Sequence, residues 1–202
     1  MLEATDLRCE RGGKTLFSSL SFALQPGEAL RVAGANGSGK TSLLRIVCGL
    51  LSPSGGEVRW QGTPIRTLKE DYARQLVYLG HAAALKDDLT AAENLAIACR
   101  LAGNPQAEDA ICGVLDEWEV PVGLGVKRLS QGQRRRAALA RLALSGSIPL
   151  WLLDEPFSAL DAAGIDLLRD LLVEQLQQGG AIAFTTHQDP GIEAARKIDL
   201  DA

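Results

Sequence analysis

The chain has 202 residues, 46% hydrophobic and 23% charged, with a formal net charge of −4. That length suits one domain with a full core. The 21 Lys plus Arg against 25 Asp plus Glu argue against a nucleic-acid partner, which needs a basic excess.

No apolar run reaches the ~20 residues that span a bilayer. The opening "MLEATDLRCERGG" lacks the basic-then-apolar order of a signal peptide, so a cytoplasmic protein is expected. Cys9, Cys48, Cys99 and Cys112 are widely spaced without a C-x-x-C pair, which predicts buried or idle thiols rather than disulfides or a metal site.

Leu2 to Cys9 and Leu16 to Leu24 read as short strands around an "RGGK" turn. Glu28 to Gly34 is a strand entering a glycine loop, and Thr41 to Leu51 a helix. "SPSGG" breaks the chain, and "EVRW" and Gln75 to Gly80 are further strands. Thr90 with Glu93 three residues later forms a capping-box pattern. A second helix places Ile111, Leu115 and Trp118 on one face. Residues 86–127 thus read as a helical insertion between core segments 1–85 and 128–202. After Ser130 come a helix, the strand "PLWLLDEP", the helix "GIDLLRDLLVEQLQQ", the strand "AIAFTTH" and a short last helix. The alternation predicts an α/β fold with a mostly parallel sheet. Trp60 and Trp151 read as packing residues.

Gly34-x4-Gly39-Lys40-Thr41 fits the phosphate-binding pattern G-x-x-x-x-G-K-[ST]. Bare backbone between a strand and a helix lets N–H groups of Ala35, Asn36, Gly37 and Ser38 and their neighbours wrap phosphates, and the helix points its positive end at them. Lys40 adds a charge and Thr41 a hydroxyl for Mg²⁺. Asp154 ends an apolar strand where it can hold Mg²⁺, and Glu155 can accept a proton from an attacking water. Ser130 and Gly132 open a helix ready for an anion. Arg134, Arg135 and Arg136 read more readily as a solvated face than as specific contacts.

Together these motifs resemble the nucleotide-binding domain of ATP-binding cassette (ABC) proteins along nearly the whole chain. Gly34 to Thr41 matches Walker A, and Asp154-Glu155 matches Walker B with the catalytic base. "LSQGQ" (Leu129, Ser130, Gln131, Gly132, Gln133) matches the family signature, with Gln131 where glycine is usual. Ser158, Ala159, Leu160 and Asp161 match the D-loop, and His187 the switch histidine at the γ-phosphate. The resemblance implies a P-loop fold with a parallel core, an antiparallel N-terminal β part and a helical subdomain. It also implies ATP and Mg²⁺ as cofactors, and a head-to-tail homodimer with each ATP between one loop and the partner's signature.

Two positions depart from the family pattern. Arg11 falls near the place of the usual adenine-stacking aromatic; its guanidinium can stack on a purine, or the side chain is simply exposed. His81 replaces a glutamine that touches Mg²⁺ and the attacking water; imidazole can accept or donate one such bond.

"YLGHAAALKDDLTAAENLAIACRLAG" is similar to the ATPase subunits of cytochrome c maturation transporters, or haem exporters. That implies an integral membrane partner and a peripheral place on the cytoplasmic face of a bacterial inner membrane. The two histidines, His81 and His187, both fall on nucleotide-site positions, so no direct haem site is expected. The alternatives are the motor of another exporter and a soluble ABC ATPase.

Overall fold

Apolar strand segments and one-sided helices sort this chain into two sheets with helices packed against them. The computed structural model describes residues 1–186, 191–192 and 195–201. The first half runs β1 (Leu2–Arg11), β2 (Lys14–Leu24), β3 (Ala29–Ala33), α1 (Lys40–Val47), β4 (Gly55–Trp60) and β5 (Thr63–Pro64). One-turn helices α2 (Ile65–Leu68) and α3 (Glu70–Ala73) lead to β6 (Leu76–Leu79). Then follow α4 (Ala91–Leu101), α5 (Glu108–Glu117), α6 (Gln131–Ala143), β7 (Leu150–Leu153), α7 (Ala162–Gln177), β8 (Ala181–Thr185) and β9 (Ala195–Asp199).

The antiparallel sheet has the order β2-β1-β4-β5. The other sheet, β6-β7-β8-β3-β9, is parallel throughout. All residues of β7 and of β8 are buried, as expected for strands covered on both faces. Successive side chains point to opposite faces, so each strand feeds two cores. Trp151, Leu153, Ile182 and Phe184 join a cluster with α4, α5, α6 and α7. Leu150, Leu152, Ala181 and Ala183 join a second cluster with α1 and the antiparallel sheet. Trp60 belongs to the second cluster, its ring 6.0 Å from that of Tyr72. Trp118 is buried in the first beside Ile111 and Leu115.

Helix boundaries follow local chemistry. Thr90 and Glu93 form both bonds of a capping box, as do Ser130 and Gln133 at the start of α6. Helix α1 stops at Val47, short of the expected Leu51, because Gly49 takes φ 79° and ends it. The expected short last helix is corrected: the described C-terminal element is strand β9, in register with β3 from Ala29–Ala195 to Ala33–Asp199. Its Ala, Arg and Lys favour a helix weakly, whereas the edge of β3 offers N–H and C=O groups that need partners.

Candidate functional site

Strand β3 delivers the chain to residue 34, and the loop closes on itself before α1 begins. Gly34 takes φ 144°, and a Cβ there would lie 2.5 Å from Ser38 Oγ, so the turn favours glycine. Gly39 is the N-cap of α1, with φ 107° and no side chain of its own to bond to the helix start. The first turn of α1 also carries no acid, so its N–H groups and dipole are open to an anion. Lys40, itself buried, donates from Nζ to the carbonyls of Gly34 at 2.7 Å and Ala35 at 3.0 Å. The Ala35 N–H donates to the Asp201 carboxylate.

Strand β7 carries the two acids to the same edge. Asp154 is buried; Oδ2 accepts from Thr41 Oγ1 at 2.8 Å and Oδ1 from Thr185 Oγ1 at 2.8 Å. The Thr185 hydroxyl in turn accepts the Glu155 N–H at 2.8 Å. Glu155 has φ 51°, a left-handed conformation uncommon for a residue with a Cβ. Its carbonyl accepts Ser158 Oγ at 2.8 Å.

The three arginines of α6 correct the expectation of a solvated face. Only Arg134 is partly exposed, and it pairs with Asp87 at 2.8 Å. Arg135 and Arg136 are 5% and 8% exposed. Arg135 donates to the carbonyls of Glu155 at 2.6 Å, Asp154 at 3.2 Å and Gly80 at 3.3 Å, and to those of Pro156 and His81. Arg136 forks onto Asp161 at 2.7 and 2.9 Å and reaches Glu119 at 2.5 Å and the Trp118 carbonyl at 3.1 Å. The Asp161 carboxylate caps α7 through the Gly164 N–H, and that bond together with Arg136 holds its pKa below the ordinary value.

A cavity of about 390 Å³ brings together Asn36, Gly37, Gly39, Lys40, Thr41, His81, Asp154 and Glu155, with Leu16 as an apolar wall. Arg11, exposed at the end of β1, does not line it. Nor do Leu129, Ser130, Gln131, Gly132 and Gln133, the segment that opens α6. Leu129 is buried, whereas Ser130 and Gln131 are exposed. In the Ser158–Asp161 turn, Ala159 takes φ 60°, and its carbonyl lies 3.4 Å from a Cβ placed on Gly132. His187 lies outside the described residues. Sequence reasoning missed Leu16, Thr185, Arg135 and Asp201; the pair of threonines ending the apolar strand "AIAFTT" was the available signal for Thr185.

Comparison with known proteins follows the same lines. Residues 17–158 match the family model described as ABC transporter. The cytochrome c biogenesis ATP-binding export protein CcmA of Nitrosomonas europaea is 50% identical over 195 residues, 94% of this chain and 89% of that protein. Its counterpart in Escherichia coli K12 is 45% identical over 204 residues, covering 99% and 96% of the two chains. A solved structure described as the ATP binding subunit of an ABC transporter superposes with a TM-score of 0.83 at 27% identity, covering 93% of this chain and 79% of that one. A dimeric bacterial ABC transporter cassette shares the fold at TM-score 0.85 and 22% identity, over 99% and 95% of the chains. With its glycine loop and acidic turn on one edge of a parallel sheet, and with relatives matching along nearly its full length, the chain belongs to the ABC transporter family, whose ATPase cassette it forms.

Proposed function

We propose that this chain is the ATP-hydrolysing subunit of a membrane ABC complex that serves cytochrome c biogenesis, by haem export or by release of a haem-carrying partner. The observation that carries the reading is the convergence of Lys40, Thr41, Asp154, Glu155 and His81 on one cavity. The named role of the CcmA relatives supports the biological assignment.

In this reading the N–H groups of Gly34 to Thr41 cradle the phosphates and Lys40 leaves the loop carbonyls to meet them. The donors at Thr41 and Asp154 are all oxygen, which suits a small hard cation such as Mg²⁺, with His81 beside it. Bound there, Mg²⁺ would offset charge on the phosphate oxygens. Glu155 accepts a proton from the attacking water, His81 accepts a hydrogen bond from that water in its neutral form, and His187 contacts the γ-phosphate. Arg11 stacks on adenine.

Ser130 to Gln133 of a second copy close over the nucleotide, a reading supported by the exposure of Ser130 and Gln131 and by the segment's absence from the lining of the cavity in its own chain. Ser158 to Asp161 lie between the two sites of such a homodimer. Residues 86–127 form a helical subdomain that receives an integral membrane subunit at the inner face of the cytoplasmic membrane. Haem itself falls to another subunit. The test is a strain lacking its own copy of this subunit, given wild type or Lys40→Ala and stained for covalent haem. Wild type should restore c-type cytochromes and Lys40→Ala should not. Recovery of the tagged chain from mild detergent with ribosomes or DNA instead of a multi-span subunit would contradict the reading.

A further inference from the structure

Helix α6 sends a buried cation into the edge of the sheet where hydrolysis is placed. The guanidinium of Arg135 bonds to backbone carbonyls of two chain segments: Gly80 and His81 at 3.3 and 3.5 Å, and Asp154, Glu155 and Pro156 at 3.2, 2.6 and 3.4 Å. None of these acceptors is a carboxylate. Burying a cation is costly, and here the cost is offset by N–H bonds aimed in fixed directions from a planar group. Two segments distant in sequence are thereby held to one rigid fork.

Glu155 supplies the second observation. Its left-handed backbone, φ 51°, persists only if its surroundings over-determine it. The N–H is held by Thr185, and the carbonyl by Ser158 and by the shortest of the Arg135 bonds. The backbone conformation sets the direction of the Cα–Cβ bond. A Glu155 released to the right-handed region would carry its carboxylate away from the cavity it now lines.

We propose that Arg135 is a positioning residue for ATP hydrolysis: from α6 it locks the backbone at Glu155 and at Gly80–His81 and so aims both side chains into the nucleotide cavity. This rests on the reading of Glu155 as general base. The hydrogen-bond acceptors are neutral carbonyls; the Asp154 and Glu155 carboxylates also attract the charge, but the position of the two segments is set by the direction of the N–H donors. Neutral glutamine, with two N–H donors on a planar amide, therefore replaces Arg135 better than lysine, whose ammonium is a compact point donor.

The test uses the purified full chain with Mg-ATP, and trinitrophenyl-ATP for affinity. Arg135→Met fills the space of the side-chain stem without donors. It should lower kcat by at least about tenfold while Kd stays within about twofold, since small misplacements of reacting groups are costly in rate. Arg135→Gln should return kcat to within about threefold of wild type by restoring donors. A merely structural role would lower affinity and thermal stability together with kcat. Wild-type kcat in Arg135→Met, a joint fall of kcat and affinity, or no gain with glutamine would each overturn the proposal. If Arg135→Met does not fold, glutamine against lysine decides: lysine outperforming glutamine would show that charge is what matters and overturn it. Glu155→Gln is measured beside them. Normal turnover there would sink the reading of Glu155 itself, whereas slow turnover there with fast Arg135→Met would sink only the positioning role.

Discussion

The two halves of the proposed nucleotide site are built in opposite ways. The phosphate side is one contiguous stretch, Gly34 to Thr41, whose shape comes from backbone conformation and whose lysine bonds to its own loop. The hydrolytic side is assembled from afar. Arg135 reaches residues 80–81 and 154–156, and its neighbour Arg136 ties the end of the helical insertion at Trp118 and Glu119 to Asp161. A cradle for phosphate needs little more than a strand, glycines and a helix start. Aiming a base at water needs several chain segments held in one frame, and here long side chains provide that frame.

The contrast can be broken at either half. The largest effect is expected on the hydrolytic side. Glu155→Gln should slow hydrolysis by ~10²–10⁴ by removing a general base, and leave ATP affinity near wild type, as read by phosphate release and by calorimetric titration. On the phosphate side the effect should fall on binding instead. Lys40→Ala should weaken ATP affinity roughly 10- to 150-fold, from the ~1.5–3 kcal/mol of a hydrogen bond to a charged group. A variant at either residue that lowers both quantities alike would erase the distinction.

Two smaller effects sharpen it. Arg11 is exposed and outside the cavity lining, so Arg11→Ala should cost about two- to fivefold in ATP affinity, the scale of an exposed cation–π contact. Arg11→Tyr should restore it, and unchanged affinity in Arg11→Ala would make the side chain a bystander. Asp161 concerns the frame. The Gly164 N–H and Arg136 hold its folded pKa below the ordinary 3.8. Its ionised form therefore stabilises the fold above that value, and the contribution is lost as pH falls through the lowered one. Asp161→Asn keeps a capping side chain without the charge. It should melt slightly below wild type at neutral pH, and the gap should close in acid below 3.8. A gap that persists there would mean that charge is not what Asp161 contributes.

Legibility in the sequence follows the same division. The loop, the acidic turn, the Thr90–Glu93 capping box and the Ser130 helix start were readable because each is a short pattern satisfied within a few residues of itself. The parallel core was readable because β7 is apolar throughout and β8 is apolar up to its last residue, Thr185. Arg135 and Arg136 misled because a charge run is usually solvated, and nothing local reveals that carbonyls at 80–81 and 154–156 lie above that helix face. Strand β9 misled for a related reason: its residues favour a helix, and only the open edge of β3 makes a strand the better outcome. Leu16 went unnoticed because its place beside Gly39 depends on how the antiparallel sheet meets the loop.

The central claim is that the segment from Ser130 to Gln133 completes the nucleotide site of a second copy. The direct measurement is the mass of purified Glu155→Gln in solution by light scattering, with ATP and with ADP, alone and combined with Gly132→Asp. Among the described residues a Cβ at position 132 meets only the Ala159 carbonyl within 4 Å, at 3.4 Å, so the first added atom fits the fold while the carboxylate opposes a phosphate. The account predicts a doubling of mass with ATP, none with ADP, and loss of the ATP-dependent doubling when Gly132→Asp is added. A monomer under ATP, or a dimer indifferent to both the nucleotide and Gly132→Asp, would contradict it.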